Sequence, residues 1–273
     1  MPSPTDVQHR NYVTTLGGGD RSLIFVNGFG CDQTIWRAVA PAFASEYRVV
    51  LFDHMGSGRS DMAAYEPSRY ASLGGYAADL VEVAEALGLR NAVVVAHSVG
   101  CTMAVQAALA APERFERLVL VTPSPRFLND PPDYVGGFER PDIDALLELM
   151  GLNFLGWAAA LTGLLLKEPE HQRQLRDSFC SLDPRVARQF AALAFLSDTR
   201  ADLPHVTQPG LVLQCSRDDV VPVGVGEYVS QQLQRGRYAL LDASGHCPHV
   251  SHPSQVEAHV RAFLDEPPPV PAL

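Results

Sequence analysis

The 273-residue sequence lacks any run of about 18 uninterrupted apolar residues, the length that a membrane-spanning helix requires. Its most apolar stretch, residues 157–166, is too short to cross a bilayer. The first six residues lack the basic segment followed by an apolar one that marks a secretory signal. Cysteine is scarce: the five residues are spread along the chain without a CxxC pair. We therefore expect reduced thiols in a cytoplasmic protein.

Basic side chains are outnumbered, with 21 Lys and Arg against 31 Asp and Glu, which gives a net charge of -10. The absence of a basic patch argues against nucleic acid and against a membrane surface as partners. The composition, 47% hydrophobic and 19% charged, is that of a soluble globular protein and excludes a disordered, coiled-coil or fibrous chain. The length indicates one large domain, or one domain with a substantial insertion.

Short apolar, β-branched runs alternate with longer helical patterns through most of the chain. Strands are predicted at residues 22–27, 48–52, 91–96, 117–122, 210–215 and 237–242, with an antiparallel edge strand near 11–15. Helices are predicted at residues 35–45, 69–87, 98–111, 224–233 and 253–264. Alternation of this kind predicts an α/β fold, in which helices cover both faces of a mostly parallel sheet.

One region interrupts the alternation. Residues 124–196 contain no strand-like run and several helical segments, so we expect a helical cap inserted between two strands. The predicted cap helices are 142–150, 154–166, 169–180 and 184–196. The core would then comprise residues 1–123 and 197–273, of which the proline-rich tail 267–273 is predicted to be disordered.

The strongest chemical signal is the pentapeptide Ala96-His97-Ser98-Val99-Gly100, which follows a predicted strand and opens a predicted helix. A serine in such a sharp turn projects its hydroxyl above the sheet edge, beside the amides of a helix N-terminus. The usual pattern is G-x-S-x-G, so Ala96 replaces the first glycine. We predict that Ser98 is a nucleophile; a helix N-cap serine is the alternative.

A serine nucleophile needs a base and an acid that orients the base. His246 stands in a loop between the last predicted strand and the last helix. The preceding strand is followed by two adjacent carboxylates, Asp218 and Asp219. The chain order of serine, acid and histidine is that of α/β-hydrolases. We choose Asp218, because the acid of this loop usually lies four residues before a proline and Pro222 is present; Asp219 is the alternative.

Two backbone amides should stabilise the oxyanion. After the strand at 22–27, Gly28 and Gly30 flank Phe29 and allow the chain to turn tightly. We predict that the N–H groups of Phe29 and Val99 are the two donors; a plain turn after a strand is the alternative at Phe29.

Two further motifs are expected to be structural elements and not ligand sites. The segment 56–60 is similar to a dinucleotide loop, but it lacks the third glycine and is followed by Asp61. His246, His249 and His252 have a spacing that suggests a metal site, yet Pro248 and Pro253 prevent a regular helix there. We expect no metal and no cofactor.

Several stretches resemble the α/β-hydrolase superfamily, and within it the branch that contains the bacterial stress regulator RsbQ and the plant karrikin and strigolactone receptors. The matching stretches are residues 28–33, 51–61, 97–100, 123–130, 213–215 and 245–253. They lie between about residue 9 and residue 264. Residues 129–132 and 245–253 resemble RsbQ in particular.

The resemblance implies a parallel-sheet core under a V-shaped cap of four helices, a mainly apolar pocket, the triad Ser98–His246–Asp218 and the oxyanion donors Phe29 and Val99. It places pocket residues at Phe29, His97, Phe127, Trp157 and Phe195. Trp157 and Phe195 could alternatively be core residues of the cap. Members of the family hydrolyse small hydrophobic esters or lactones slowly, and several act as sensors.

We therefore expect a cofactor-free, monomeric serine hydrolase that acts on a small, largely apolar ester or lactone. The alternative is a ligand-sensing regulator with slow or incidental hydrolysis and a regulatory protein partner. Carbon–carbon bond hydrolysis on the same fold is a third possibility.

Overall fold

A seven-stranded sheet forms the centre of the molecule in the computed structural model, which describes residues 3–267. The strands are β1 (Thr14–Leu16), β2 (Arg21–Val26), β3 (Tyr47–Leu51), β4 (Ala92–His97), β5 (Phe115–Val121), β6 (Gly210–Arg217) and β7 (Gly236–Ser244). Their spatial order is β1-β3-β2-β4-β5-β6-β7. Every neighbouring pair is parallel except β1 and β3, so the predicted antiparallel edge strand is confirmed.

The central strands are buried because their apolar runs have no polar face. Every residue of β4 is buried, and β2 exposes only its first residue, Arg21. The edge strand β7 alternates between exposed and covered positions along most of its length. The buried central runs and the mixed pattern at the edge are what a sheet covered by helices requires. The predicted α/β fold is confirmed.

The α-helices of the described chain fall between the strands, in the cap region and at the two ends. They are α1 (Pro4–Arg10), α2 (Leu73–Ala86), α3 (Val99–Ala110), α4 (Arg140–Leu152), α5 (Phe154–Leu165), α6 (Pro169–Cys180), α7 (Pro184–Leu196), α8 (Val223–Gln232), α9 (Pro248–Ser251) and α10 (Pro253–Leu264). Helix α3 lies against β2, β4 and β5, and α8 lies against β6 and β7. Among residues 3–267, no helix is both long and apolar enough to cross a membrane.

The predicted helix at residues 35–45 is wrong. The segment forms two separate 3₁₀ helices, Gln33–Trp36 and Ala40–Phe43. Pro41 lies in the first turn of the second 3₁₀ helix, where the missing N–H of proline costs no hydrogen bond. A proline at this position cannot, however, continue a helix from the residues before it. Asp32 caps the first one by accepting from the amide of Thr34.

Three other helices differ from prediction. Helix α9 was not predicted, because Pro248 and Pro253 were expected to prevent a regular helix there; it is a single turn that Pro248 opens, where the missing N–H of proline costs no hydrogen bond. Helix α2 begins at Leu73 rather than residue 69, because Ser72 is extended and separates α2 from a 3₁₀ turn at Arg69–Ala71. Helix α1 was not predicted. Its signal is a capping box in which Ser3 and Asp6 exchange side-chain to backbone hydrogen bonds.

Four helices, α4 to α7, lie between β5 and β6, close to the predicted ranges. They bury large aromatic side chains, among them Trp157, Phe179 and Phe190. The division of the chain into a core and a cap at residues 124 and 196 stays a prediction. Residues 268–273 of the predicted disordered tail lie outside the described residues.

Candidate active site

Ser98 sits in the turn between β4, which ends at His97, and α3, which begins at Val99. Its backbone adopts φ 54° and ψ −128°, a costly conformation for a residue other than glycine. Gly100 allows this turn, because a Cβ there would lie 2.4 Å from the carbonyl oxygen of Asn27. Ala96, by contrast, remains paired within the sheet, so its methyl group fits the strand.

The Ser98 hydroxyl points toward His246 rather than capping α3. Its Oγ lies 2.9 Å from Nε2 of His246, and no side-chain capping bond is made at the helix N-terminus. The Nδ1 atom of His246 lies 2.8 Å from Oδ2 of Asp218. Because a carboxylate only accepts, Nδ1 carries the proton and Nε2 is free to accept from the serine. The structure therefore brings the three predicted triad residues into one hydrogen-bonded line.

The two candidate acids have different surroundings. Asp218 is fully buried at its side chain, and its second oxygen, Oδ1, accepts from the amides of Val220 and Val221 at 2.8 and 3.0 Å. Asp219 is half-exposed and forms an ion pair with Lys167. Asp218 is thus held in position to orient His246, whereas Asp219 faces a different partner.

The His246 peptide is held on both sides. Its amide donates to the carbonyl of Leu165, the last residue of α5, at 2.7 Å. Its carbonyl oxygen lies 3.0 Å from Nε2 of His97 and 2.9 Å from Oγ1 of Thr122. His246 is consequently fixed by its main chain as well as by its ring.

The predicted oxyanion donors lie beside the serine. The loop after β2 passes close to the nucleophile turn, since a Cβ at Gly28 would lie 2.5 Å from Nδ1 of His97 and 3.3 Å from Cβ of Ser98. Phe29 and Val99 both border the same cavity as Ser98. Within residues 3–267, neither of their amides donates a hydrogen bond to a protein acceptor. Their oxyanion role stays a prediction.

A small, enclosed cavity of about 30 Å³ adjoins Ser98. This is space for a few water molecules at most. Its walls are mainly apolar and combine residues from the loops of the sheet with residues from α5 and α7. The lining residues are Phe29, Cys31, His97, Ser98, Val99, Phe127, Leu161, Leu165, Ala194, Phe195, Val220, His246 and Cys247.

Of the predicted pocket residues, Phe29, His97, Phe127 and Phe195 line this cavity, whereas Trp157 does not. Trp157 is fully buried behind Phe29, with its ring centroid 5.9 Å from that of Phe29 in an edge-on arrangement. Its assignment to the cavity wall is therefore corrected to cap core. It supports the wall without forming it.

Sequence reasoning missed several lining residues. Leu161 and Leu165 are four residues apart on α5, a spacing that places both on one helix face. That signal was present in the sequence but is shared by any buried helix. Cys31 and Cys247 were interpreted only as reduced thiols, although each lies within two residues of a predicted site residue.

Burial keeps the groups around the triad uncharged. It raises the pKa of the Cys31 and Cys247 thiols above the ordinary range. It lowers the pKa of His97 well below its usual value and that of His249 to about 3. Among the residues that the structure describes, no group of three His, Cys, Asp or Glu side chains is arranged to hold a metal ion.

A family model described as the alpha/beta hydrolase family matches residues 23–259. The chain is 35% identical over 254 residues to the karrikin insensitive 2 receptor CA of Petunia hybrida, covering 92% of this chain and 94% of that protein. It is 34% identical over 255 residues to a strigolactone esterase of Arabidopsis thaliana, covering 92% and 95%.

A solved structure has the same fold. The chain matches a hydrolase from Oleispira antarctica with a TM-score of 0.95 and 36% identity, covering 97% of this chain and 98% of that one.

Proposed function

Because the chain belongs to the alpha/beta hydrolase family and is related to the plant karrikin and strigolactone receptors, we propose that it is a serine hydrolase that cleaves a small, largely apolar ester or lactone. The observation that carries the proposal is the hydrogen-bonded line from Asp218 through His246 to Ser98, beside a buried apolar cavity.

In the first half of the reaction, Oγ of Ser98 attacks the carbonyl carbon while Nε2 of His246 takes the hydroxyl proton. Asp218 holds the Nδ1–H tautomer and stabilises the imidazolium that forms. His246 then gives the proton to the leaving alcohol oxygen, and the acyl group remains on Ser98. A lactone follows the same path, except that the leaving alcohol stays tethered to the acyl group.

The amides of Phe29 and Val99 stabilise the oxyanion of the tetrahedral intermediate. Losing one such donor typically costs about 10²–10³ in kcat. In the second half of the reaction, His246 activates water, which attacks the acyl carbon and releases Ser98 with a carboxylic acid product.

The cavity limits the substrate. A volume of about 30 Å³ accepts an acyl group of only a few atoms unless side chains of α5 or α7 move. The apolar walls offer little to a charged acyl group, because the desolvation of a charge would be uncompensated there. The expected substrates are therefore esters or lactones whose acyl group is short and neutral.

Mass spectrometry after incubation with a panel of small esters and lactones tests the proposal. We expect the wild type to gain the mass of one acyl group and Ser98→Ala to gain none and to lose turnover. Turnover of the same compounds by Ser98→Ala at the wild-type rate would refute the serine mechanism.

A ligand-sensing role is the second candidate. It is favoured by the similarity to a protein named as a receptor. In this case a bound ligand would change the cap and recruit a protein partner. Turnover numbers, together with a pull-down from the source organism performed with and without the hydrolysed compound, separate the two roles. Rapid turnover without a ligand-dependent partner favours the enzyme.

A further inference from the structure

His97 contacts the base as well as the cavity. It is the residue before the nucleophile and is almost fully buried at the end of β4. Its Nε2 lies 3.0 Å from the main-chain oxygen of His246. A carbonyl oxygen only accepts, so Nε2 of His97 carries a proton and donates it. The segment that supplies the nucleophile therefore also holds the peptide group of the base.

Thr122 donates to the same oxygen from the neighbouring strand. Its Oγ1 lies 2.9 Å from the carbonyl of His246, and its own amide donates to Leu213 at 2.7 Å. Thr122 follows β5 with φ 46°, a costly backbone conformation for a β-branched residue. Such an outlier persists only where its surroundings enforce it and is a reason to look for function. Here the conformation accompanies a hydroxyl directed at the base.

We propose that His97 and Thr122 are positioning residues for His246, an inference that rests on the proposed function. Two donors on the carbonyl and one acceptor on the amide, Leu165, fix the two peptide groups that flank the Cα of His246 and thereby the direction of its side chain. The ring must meet Ser98 at 2.9 Å and Asp218 at 2.8 Å at the same time. A misplacement of about 1 Å at such a centre can cost about 10²-fold in rate.

The His97 donor is kept in one protonation state. Burial lowers the pKa of His97 well below its usual value, and the two titratable rings packed against it, His246 and His249, act in the same direction. The ring centroids lie 5.1 Å and 4.4 Å from that of His97. His97 is consequently neutral and keeps its Nε2–H while His246 exchanges protons during the reaction.

His249 provides a matched control. It is a buried histidine that contacts His97, but neither of its ring nitrogens has a hydrogen-bond partner among the described residues, and it does not line the cavity. His97→Phe and His249→Phe remove the same group from the same region, and only the first removes a donor from the His246 carbonyl. Thr122→Val removes the other donor with little change in volume.

The experiment measures kcat and KM on a short-chain ester that the wild type cleaves. We expect His97→Phe and Thr122→Val each to lower kcat by about tenfold, with KM and the thermal midpoint close to those of His249→Phe. The double variant should lose more than about a hundredfold, because the buried carbonyl then has no donor. His97→Gln and Thr122→Ser, which keep a donor, should recover most of the rate.

Several results would overturn the inference. The first is an unchanged kcat in both His97→Phe and Thr122→Val, and the second is an equal loss of kcat in His249→Phe. The third is a change in KM alone in His97→Phe, which would make His97 a substrate contact. If His97→Phe does not fold, Thr122→Val and its rescue by Thr122→Ser test the same oxygen. Ser98→Ala distinguishes a failure of the proposed function from a failure of the positioning role. Activity in Ser98→Ala refutes the proposed function. If Ser98→Ala is inactive and His97→Phe has normal activity, only the positioning role is refuted.

Discussion

Two neighbouring carboxylates, identical in chemistry, have different partners at the candidate site. Asp218 is buried against His246, and Asp219 is half-exposed against Lys167. We expect Asp218→Asn to lower kcat by about 10⁴, because the amide favours the wrong histidine tautomer, as in the serine protease triad. Asp219→Asn, a matched control, removes one exposed ion pair and should change kcat by less than about threefold.

Steady-state kinetics on a short-chain ester checks this prediction. An equal loss in both variants would show that the acidic loop acts as a unit, and a greater loss in Asp219→Asn would transfer the orienting role to that residue.

The five cysteines differ in accessibility. Cys180, at the end of α6, is exposed, whereas Cys31, Cys101, Cys215 and Cys247 are buried. Burial raises the pKa of each of these four thiols, so the thiolate that reacts with alkylating reagents is scarce in the folded protein.

We expect brief treatment of the folded protein with N-ethylmaleimide at pH 7.5 to add one label, at Cys180, and to leave hydrolysis intact. Peptide mass spectrometry locates the label, Cys180→Ser should take up none, and unfolding in urea should expose all five thiols. Rapid labelling of Cys247 in the folded wild type would contradict the buried arrangement.

At this scale the sequence predicted which polar side chains would meet better than it predicted the cavity wall around them. The convergence of Ser98, His246 and Asp218 could be predicted because each follows a predicted strand, and parallel strands end at one edge of a sheet; their catalytic roles stay a prediction. Trp157 was misplaced because an aromatic residue on an amphipathic helix has the same pattern whether it borders a cavity or supports its wall. Only the packing of the cap distinguishes the two.

Helix α5 forms part of the cavity wall. Leu161 and Leu165 line it from the inner face of the helix, whereas Leu164 is partly exposed on another face. We expect Leu161→Ala to enlarge the cavity and to shift the preferred acyl chain of p-nitrophenyl esters toward longer chains by about two carbons, since each methylene needs room of its own. The profile of kcat/KM against chain length measures the shift.

Leu164→Ala serves as the control and should leave the profile unchanged. We expect Leu161→Ala to cost about 2–5 kcal/mol in stability, as buried leucine truncations do, so thermal midpoints should be recorded with the kinetics. An unaltered profile in Leu161→Ala would mean that α5 moves aside whenever substrate binds.

At the scale of elements, the strands were predicted to within three residues at each end because their apolar runs are short and bounded. The failure at residues 35–45 has a local cause: apolar spacing suggested one helix, but Pro41 divides the segment into two 3₁₀ turns. Helix α1 escaped detection because seven residues are too few for a periodic pattern. Its capping box was the signal that remained.

Buried histidines make the stability of the whole molecule depend on pH. Burial lowers the pKa of His249 to about 3 and lowers those of His54 and His97. Between pH 6.5 and the folded pKa, the unfolded chain binds more protons than the folded one, so stability falls as pH falls. Each such histidine contributes up to about 1.4 kcal/mol per pH unit.

We therefore expect the free energy of unfolding to decline below pH 6.5, and His249→Phe to decline less steeply by about 1.4 kcal/mol per pH unit between pH 6 and pH 4. Urea denaturation of both proteins at half-unit intervals measures this difference, in which the common contribution of carboxylates cancels. Parallel curves would mean that His249 is protonated, or hydrated, in the folded state.

The order of the strands has a consequence for biosynthesis. The proposed nucleophile and both proposed oxyanion donors lie within the first 99 residues, but the proposed acid follows β6 and the proposed base follows β7, the last two strands to leave the ribosome and the two at one end of the sheet. A nascent chain that has folded through β5 already presents Ser98 without any group to activate it. Hydrolytic competence thus arises late in translation, when the C-terminal strands join the sheet.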